Sequence, residues 1–325
     1  MLSSRFFLVA IIFFATSLML NIACATEKRS LSEQTQTKQR LFLAAFDCDW
    51  AGVENGPKEK TNVWEINQQI IALDKTWQGR IKSGYVLTRC PEEIILSALD
   101  ESKPRLDFTE RLEKMYDQLV AQSGAWLKAD PAAEIIVISV GFSLGAQQSA
   151  AFARLVHERG LQDPKGKSTS KDKSGITRLE FTKPALVKPG VTLQAVGLFD
   201  PVGIVQHDLN LPASVVSGLQ ITAKHERRDL FASLSIIKDG MSENKQLLGV
   251  TLPGAHADVG GGYSLNGLSI RSGNLMRNFL NRLSDRPYLQ LVAEPAGQDM
   301  NVIHRPEEER YPSTLEKKAK AKFDK

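Results

Sequence analysis

The amino-acid sequence predicts an α/β fold, a mostly parallel sheet with helices on both faces, and three observations carry that expectation. Short continuous apolar runs recur along the chain, as central strands buried on both faces require. Segments with helical periodicity separate them, which is the crossover that parallel neighbours need. One of the runs passes directly into Gly141-Phe142-Ser143-Leu144-Gly145 and then into a helix.

Taken in order, residues 1–25 hold one charge, Arg5, then the apolar run Phe6–Leu20 and the small-residue ending Ala23-Cys24-Ala25. That layout is a secretory signal cleaved after Ala25. The run is short for a membrane span, which takes about 20 apolar residues. Leu20-Asn21-Ile22-Ala23-Cys24 is also similar to a lipoprotein processing box, with Asn21 where an aliphatic residue is preferred. The expectation is an exported protein, periplasmic or secreted, with lipid anchoring through Cys24 as the alternative.

Residues 26–40 read as a polar linker, and 41–305 as one domain. Leu41–Phe46, Glu134–Val140, Thr192–Phe199, Gly218–Ala223 and Leu247–Leu252 are the predicted strands. A helix is predicted from a capping box of Asp107 with Glu110, with Leu112, Met115, Leu119 and Trp126 on one face. Leu144–Arg159 and Leu275–Leu283 are the others.

Residues 163–190 break this rhythm. From Pro164 to Gly190 there are seven basic and two acidic residues, which predicts a solvated, flexible insertion unable to order itself. A substrate- or membrane-facing loop is the alternative. Residues 306–325 form a charged tail, with five lysines in Lys317–Lys325. The net charge of +4 is small and concentrated in the insertion, so no nucleic-acid partner is expected. Beyond the signal only Cys48 and Cys90 remain; a disulfide and two buried thiols are both compatible with that count.

The chemistry begins at Ser143. Strand, sharp turn and helix is the setting in which G-x-S-x-G presents a serine nucleophile, with the backbone N–H of Leu144 aimed at a developing oxyanion. A serine hydroxyl needs a base, and the base an orienting carboxylate. Of the five histidines, His157 falls inside the helix after Ser143, His207 in a polar loop and His304 in a charged tail. His256 lies in the glycine-rich Pro253–Tyr263 loop at the end of a predicted strand, where active-site loops of α/β folds sit. Asp200 ends another strand and follows the serine, acid, histidine order of such enzymes. Asp258, two residues from His256, is the alternative acid.

Several motifs together resemble the catalytic domain of type VI secretion phospholipase effectors and related α/β-hydrolase domains. They are Phe46-Asp47, Thr61-Asn62-Val63, Gly141–Ala146, Gly197–Gly203, His225–Phe231 and Pro253–Tyr263, in that order. The resemblance implies a lipase or phospholipase triad of Ser143, Asp200 and His256, with Asp47 and Cys48 beside Leu144 at the oxyanion hole. It departs from the family where Cys48-Asp49-Trp50 replaces Gly-Thr-Trp and where Leu144 replaces a frequent arginine. The exported signal is also unlike an injected effector.

The expected activity is hydrolysis of a carboxylic ester, a lipid or another acyl ester, through an acyl-enzyme, with no cofactor and no metal. Contact with a membrane surface goes with such a substrate. Arg227 and Arg228 are expected to be structural ion-pair partners rather than a ligand site. A catalytically inactive hydrolase-fold binding protein of the envelope is the alternative from another class.

Overall fold

A computed structural model describes residues 38–49, 60–73, 75–90, 102–173, 175–203, 208–284 and 286–306. The expected signal, Cys24, most of the linker and nearly all of the charged tail lie outside them.

Seven strands form one sheet in the order β2-β1-β3-β6-β7-β9-β8. They are β1 (Gln39–Asp49), β2 (Ile81–Arg89), β3 (Glu134–Phe142), β6 (Leu193–Phe199), β7 (Val215–Ala223), β8 (Gly240–Met241) and β9 (Leu247–Leu252). Every pairing is parallel except β8 with β9. The apolar runs occupy the middle: Leu41–Cys48 and Val137–Phe142 are buried throughout.

Five helices are described: α1 (Asn62–Leu73), α2 (Ser102–Ala129), α3 (Leu144–Arg159), α4 (His256–Gly260) and α5 (Gly267–Asn281). Two neighbouring positions show that both faces are covered. Gly141 lies so close to α3 that a Cβ there would meet Gly145 O at 2.1 Å. Gly197 is in register with Val140, one residue before Gly141, and its absent Cβ would meet Met276 Sδ of α5 at 2.5 Å. Successive strand residues face opposite ways, so α3 and α5 cover opposite faces. The fold is α/β-hydrolase-like.

Three expectations are corrected. Helix α2 starts at Ser102, so Asp107 lies inside it rather than at its cap; α5 starts at Gly267, eight residues before Leu275. The sequence reading also passed over α1 and the edge strand β2.

The third correction concerns residues 163–190, which fold. β4 (Lys167–Lys171) and β5 (Thr177–Phe181) make an antiparallel hairpin against α2. The anchor is a buried carboxylate on α2. Glu113 receives both terminal nitrogens of Arg159 at 2.8 and 2.7 Å, Arg178 Nη1 at 3.4 Å and the Leu179 N–H at 3.4 Å. Ile176 is buried, and Phe181 packs edge-on against Tyr116 at 6.0 Å. A buried acid thus recruits Arg178, one of the basic residues whose charge alone argued for solvation.

Candidate active site

Ser143 stands between β3 and α3 with φ 61° and ψ −125°. Such a backbone costs about 1–3 kcal/mol for a residue with a side chain and persists only where the surroundings impose it. Here they do. Gly141 lets the turn close on Gly145, and a Cβ on Gly145 would lie 2.2 Å from Phe46 O. The Ser143 N–H donates to Phe199 O at 3.0 Å, tying the turn to the end of β6. The hydroxyl is buried and Oγ has no hydrogen-bond partner.

Asp200 is the first residue beyond β6, with φ 38°, and its N–H donates to Ile221 O at 2.7 Å. Its carboxylate receives Ala223 N–H at 2.9 Å, Ser233 Oγ at 2.6 Å and His256 Nδ1 at 2.6 Å. His256 opens α4 just after β9, and Asp200 and His256 are both fully buried. The imidazole lies 4.5 Å from the Phe142 ring and 5.7 Å from Phe231, centroid to centroid. With Nδ1 donating to the carboxylate, Nε2 is the basic nitrogen. Ser143, Asp200 and His256 therefore lie at or just beyond the carboxyl ends of β3, β6 and β9, on the side where the sheet's loops gather. The structure joins His256 to Asp200, while Ser143 Oγ and His256 Nε2 each lack a hydrogen-bond partner among the described residues.

Asp258 has other partners. It receives the Ala255 N–H at 2.9 Å, capping α4, and the N–H and Nδ1 of His304 at 2.9 and 2.6 Å. His304 in turn stacks on Tyr263, centroids 3.7 Å apart and planes 12° apart. Among the described residues there are thus two separate aspartate–histidine pairs.

The expected oxyanion donors are partly corrected. Leu144 begins α3, and the contact of Gly145 with Phe46 sets that turn against the end of β1. The Asp47 carboxylate, however, is an acceptor inside a buried cluster. It takes Thr61 Oγ1 at 2.7 and 2.8 Å, Tyr85 OH at 2.7 Å and the N–H of Cys48 at 2.8 Å. The Cys48 N–H is thus engaged by its neighbour rather than presented to a substrate. Cys48 is also bridged to Cys90, Cα to Cα 5.4 Å, which resolves the alternatives left open by the cysteine count.

No protein-family model matches the chain, and no curated protein matches its sequence. Among solved structures it is similar to an uncharacterized protein from Pseudomonas aeruginosa. The identity is 17% and the TM-score 0.47, over 90% of this chain and 52% of that one. It is also similar to the Tle1 effector bound to the VgrG spike of a type 6 secretion system, at 16% identity and TM-score 0.36, over 69% and 51%. A third is Thermogutta terrifontis esterase 2 phosphoramylated by tabun, at 13% identity and TM-score 0.35, over 78% and 87%. The chain spans about half the length of the first two.

Several residues that shape the site were not singled out from sequence. Asn62 Nδ2 donates to Val259 O and Ser269 O at 3.0 and 2.9 Å, bolting α4 to α1 and α5. Glu226 receives the His256 N–H at 3.2 Å; its ion-pair partner at 2.9 Å is Arg228, for which the sequence predicted that role. The signal was the motif stretches Thr61–Val63 and His225–Phe231, whose targets lie far along the chain. Of the other histidines, His157 Nδ1 lies 2.9 Å from Ser214 Oγ, and His207 is outside the described residues. Among the described residues no three His, Cys, Asp or Glu side chains converge as a metal site, and no helix is long and apolar enough to cross a membrane.

Proposed function

We propose that the chain is an exported serine ester hydrolase acting on a lipid or other acyl ester. The observation that carries this reading is Ser143, held in a strained turn between two glycines, beside a buried His256 whose Nδ1 is fixed on Asp200. In the proposed reaction Ser143 Oγ attacks the ester carbonyl while His256 Nε2 takes its proton. Asp200 holds the ring and stabilises the imidazolium, and the Leu144 N–H faces the oxyanion. Collapse of the tetrahedral intermediate expels the alcohol, which receives the proton from His256. Water, deprotonated by the same nitrogen, then cleaves the acyl-enzyme to the acid and restores Ser143. The missing Ser143 hydrogen bond is in keeping with unliganded sites, where such contacts often tighten only with substrate.

The engaged Cys48 N–H favours a second reading, a hydrolase fold retained for binding in the cell envelope without turnover. A fluorophosphonate probe separates the two. The hydrolase labels once, at Ser143, and turns over at least one of a panel of p-nitrophenyl and lipid esters; Ser143→Ala does neither. An unlabelled, folded wild-type chain rejects the enzyme reading.

Export and lipid anchoring belong to the same proposal and rest on residues 1–25 alone. Intact mass of the exported protein tests them. An N-terminus at Thr26 supports signal cleavage, a diacylglyceryl group on Cys24 the lipoprotein route, and an unprocessed chain rejects both.

A further inference from the structure

The His225–Phe231 stretch lies beyond β7, outside the triad, yet it reaches His256 twice. Glu226 Oε2 receives the His256 backbone N–H at 3.2 Å. The Arg228 guanidinium lies 3.9 Å from the centroid of Phe231, whose ring meets the His256 imidazole edge-on. Arg228 also binds Glu226 through both ends, Nε to Oε1 and Nη2 to Oε2, each at 2.9 Å. The backbone N–H groups of Arg227 and Arg228 add 3.0 and 2.8 Å contacts to Oε1. An acid and a base, locked together, thus reach His256 at its backbone N–H and, through Phe231, at its ring.

We infer that Glu226 and Arg228 are positioning residues of His256, fixing its backbone and ring while their opposed charges set the pH at which it accepts the serine proton. The inference rests on the reading of His256 as the general base. A carboxylate close to an imidazole favours the imidazolium, and a guanidinium opposes it. Burial would push the Glu226 carboxyl up, but the hydrogen bonds and charge of Arg228, with the charge of His256, hold it below its ordinary value. Glu226 therefore stands ionised beside the ring at neutral pH. Asp200, bonded to Nδ1, is the nearest charge to the ring and is the same in every variant below; among the other described charged groups, Asp258 is bound to Ala255 and His304, and Arg277 of α5 to Glu65 of α1. His225 accepts the Gly254 N–H at Nδ1. Arg227 is exposed and Asp229 lies at the surface. The Glu226–Arg228 pair is the one set against both the backbone and the ring contact of His256.

The test is the pH dependence of kcat/KM on a p-nitrophenyl ester, with fluorophosphonate labelling rate as a parallel readout and circular dichroism for folding. Glu226→Gln leaves the Arg228 charge unopposed, so the acidic limb should move down by on the order of one pH unit. Glu226→Gln with Arg228→Gln removes both charges, and the limb should return towards wild type. A merely structural pair would make the double variant worse instead. Arg228→Lys keeps both charges, so its limb should stay in place even though the flat contact with Phe231 is lost. An unmoved limb in Glu226→Gln, no return in the double variant, or a Lys variant displaced by a full unit overturns the inference. If Ser143→Ala retains activity, or the wild type neither labels nor turns over, it is the hydrolase reading that fails and the inference falls with it.

Discussion

Asp258 grips His304 at two points, side chain to Nδ1 at 2.6 Å and carboxylate to backbone N–H at 2.9 Å, two residues along the chain from His256. Its carboxylate is consumed by the segment it fastens and by the cap of α4, whereas Asp200 is directed at His256.

The two aspartates should therefore respond differently to the same change. Asp200→Asn keeps the shape but favours the wrong histidine tautomer, and kcat should fall on the order of 10²–10⁴-fold with KM little changed. Asp258→Asn should lose thermal stability through the cap and the His304 contacts, with a cost in kcat below about tenfold, far short of that of an orienting carboxylate. Steady-state kinetics on folded variants checks the pair. A larger kcat loss at Asp258 would transfer the role of acid to it.

His304→Ala should release the segment around residue 304 while leaving the triad's own contacts intact. Losing a hydrogen bond to a charged partner and a stacked ring costs about 2–3 kcal/mol. Hydrogen exchange should rise first in 301–306 and in the Gly260–Tyr263 turn. Unchanged protection there would show that the contact does not hold the segment.

What the sequence disclosed and what it hid follow from range. The Ser143 turn was legible because its cause is local: two glycines, an apolar strand before them and small residues after. Helix α3 and strand β9 end where their periodicity ends, at Arg159 and Leu252. Strand β2 was hidden because it is the sheet edge; Lys82, Ser83 and Thr88 interrupt any continuous apolar run. The hairpin was hidden because its anchor, Glu113, lies on another element, and composition cannot report a buried acid that pairs with Arg178. His304 looked like a tail residue because its partners are 46 and 41 residues upstream.

Acid should weaken the Glu226 contribution in a defined window. Its folded carboxyl lies below the ordinary value of 4.5, so folding favours the ionised form. The stabilisation is complete above about 4.5 and is lost as pH falls through the lower, folded value. Urea midpoints of wild type and Glu226→Gln should differ most at neutral pH and converge as pH falls through the folded value. A gap that is constant with pH would mean that Glu226 contributes packing rather than charge.

The Cys48–Cys90 bridge links stability to the site. It closes a loop of 42 residues, for which chain entropy gives about 4 kcal/mol of stabilisation. Cys48 also follows Asp47 directly, and Asp47 carries Thr61, Tyr85 and the Cys48 N–H in one buried cluster pressed against the Ser143 turn. Breaking the bridge should therefore do two things. Cys48→Ser with Cys90→Ser should lower the melting temperature by about 10 °C or more, because about 1 kcal/mol corresponds to 2–4 °C in a chain of this size. It should also lower kcat at temperatures where the variant is fully folded, since the end of β1 loses its covalent tie beside the turn. Thiol counting under denaturing, non-reducing conditions establishes the starting state, and two free thiols in the wild type would remove the premise. If the bridge is present and its loss shifts melting but not kcat, the disulfide is a staple for the fold, and the Asp47 cluster holds the turn by its hydrogen bonds alone.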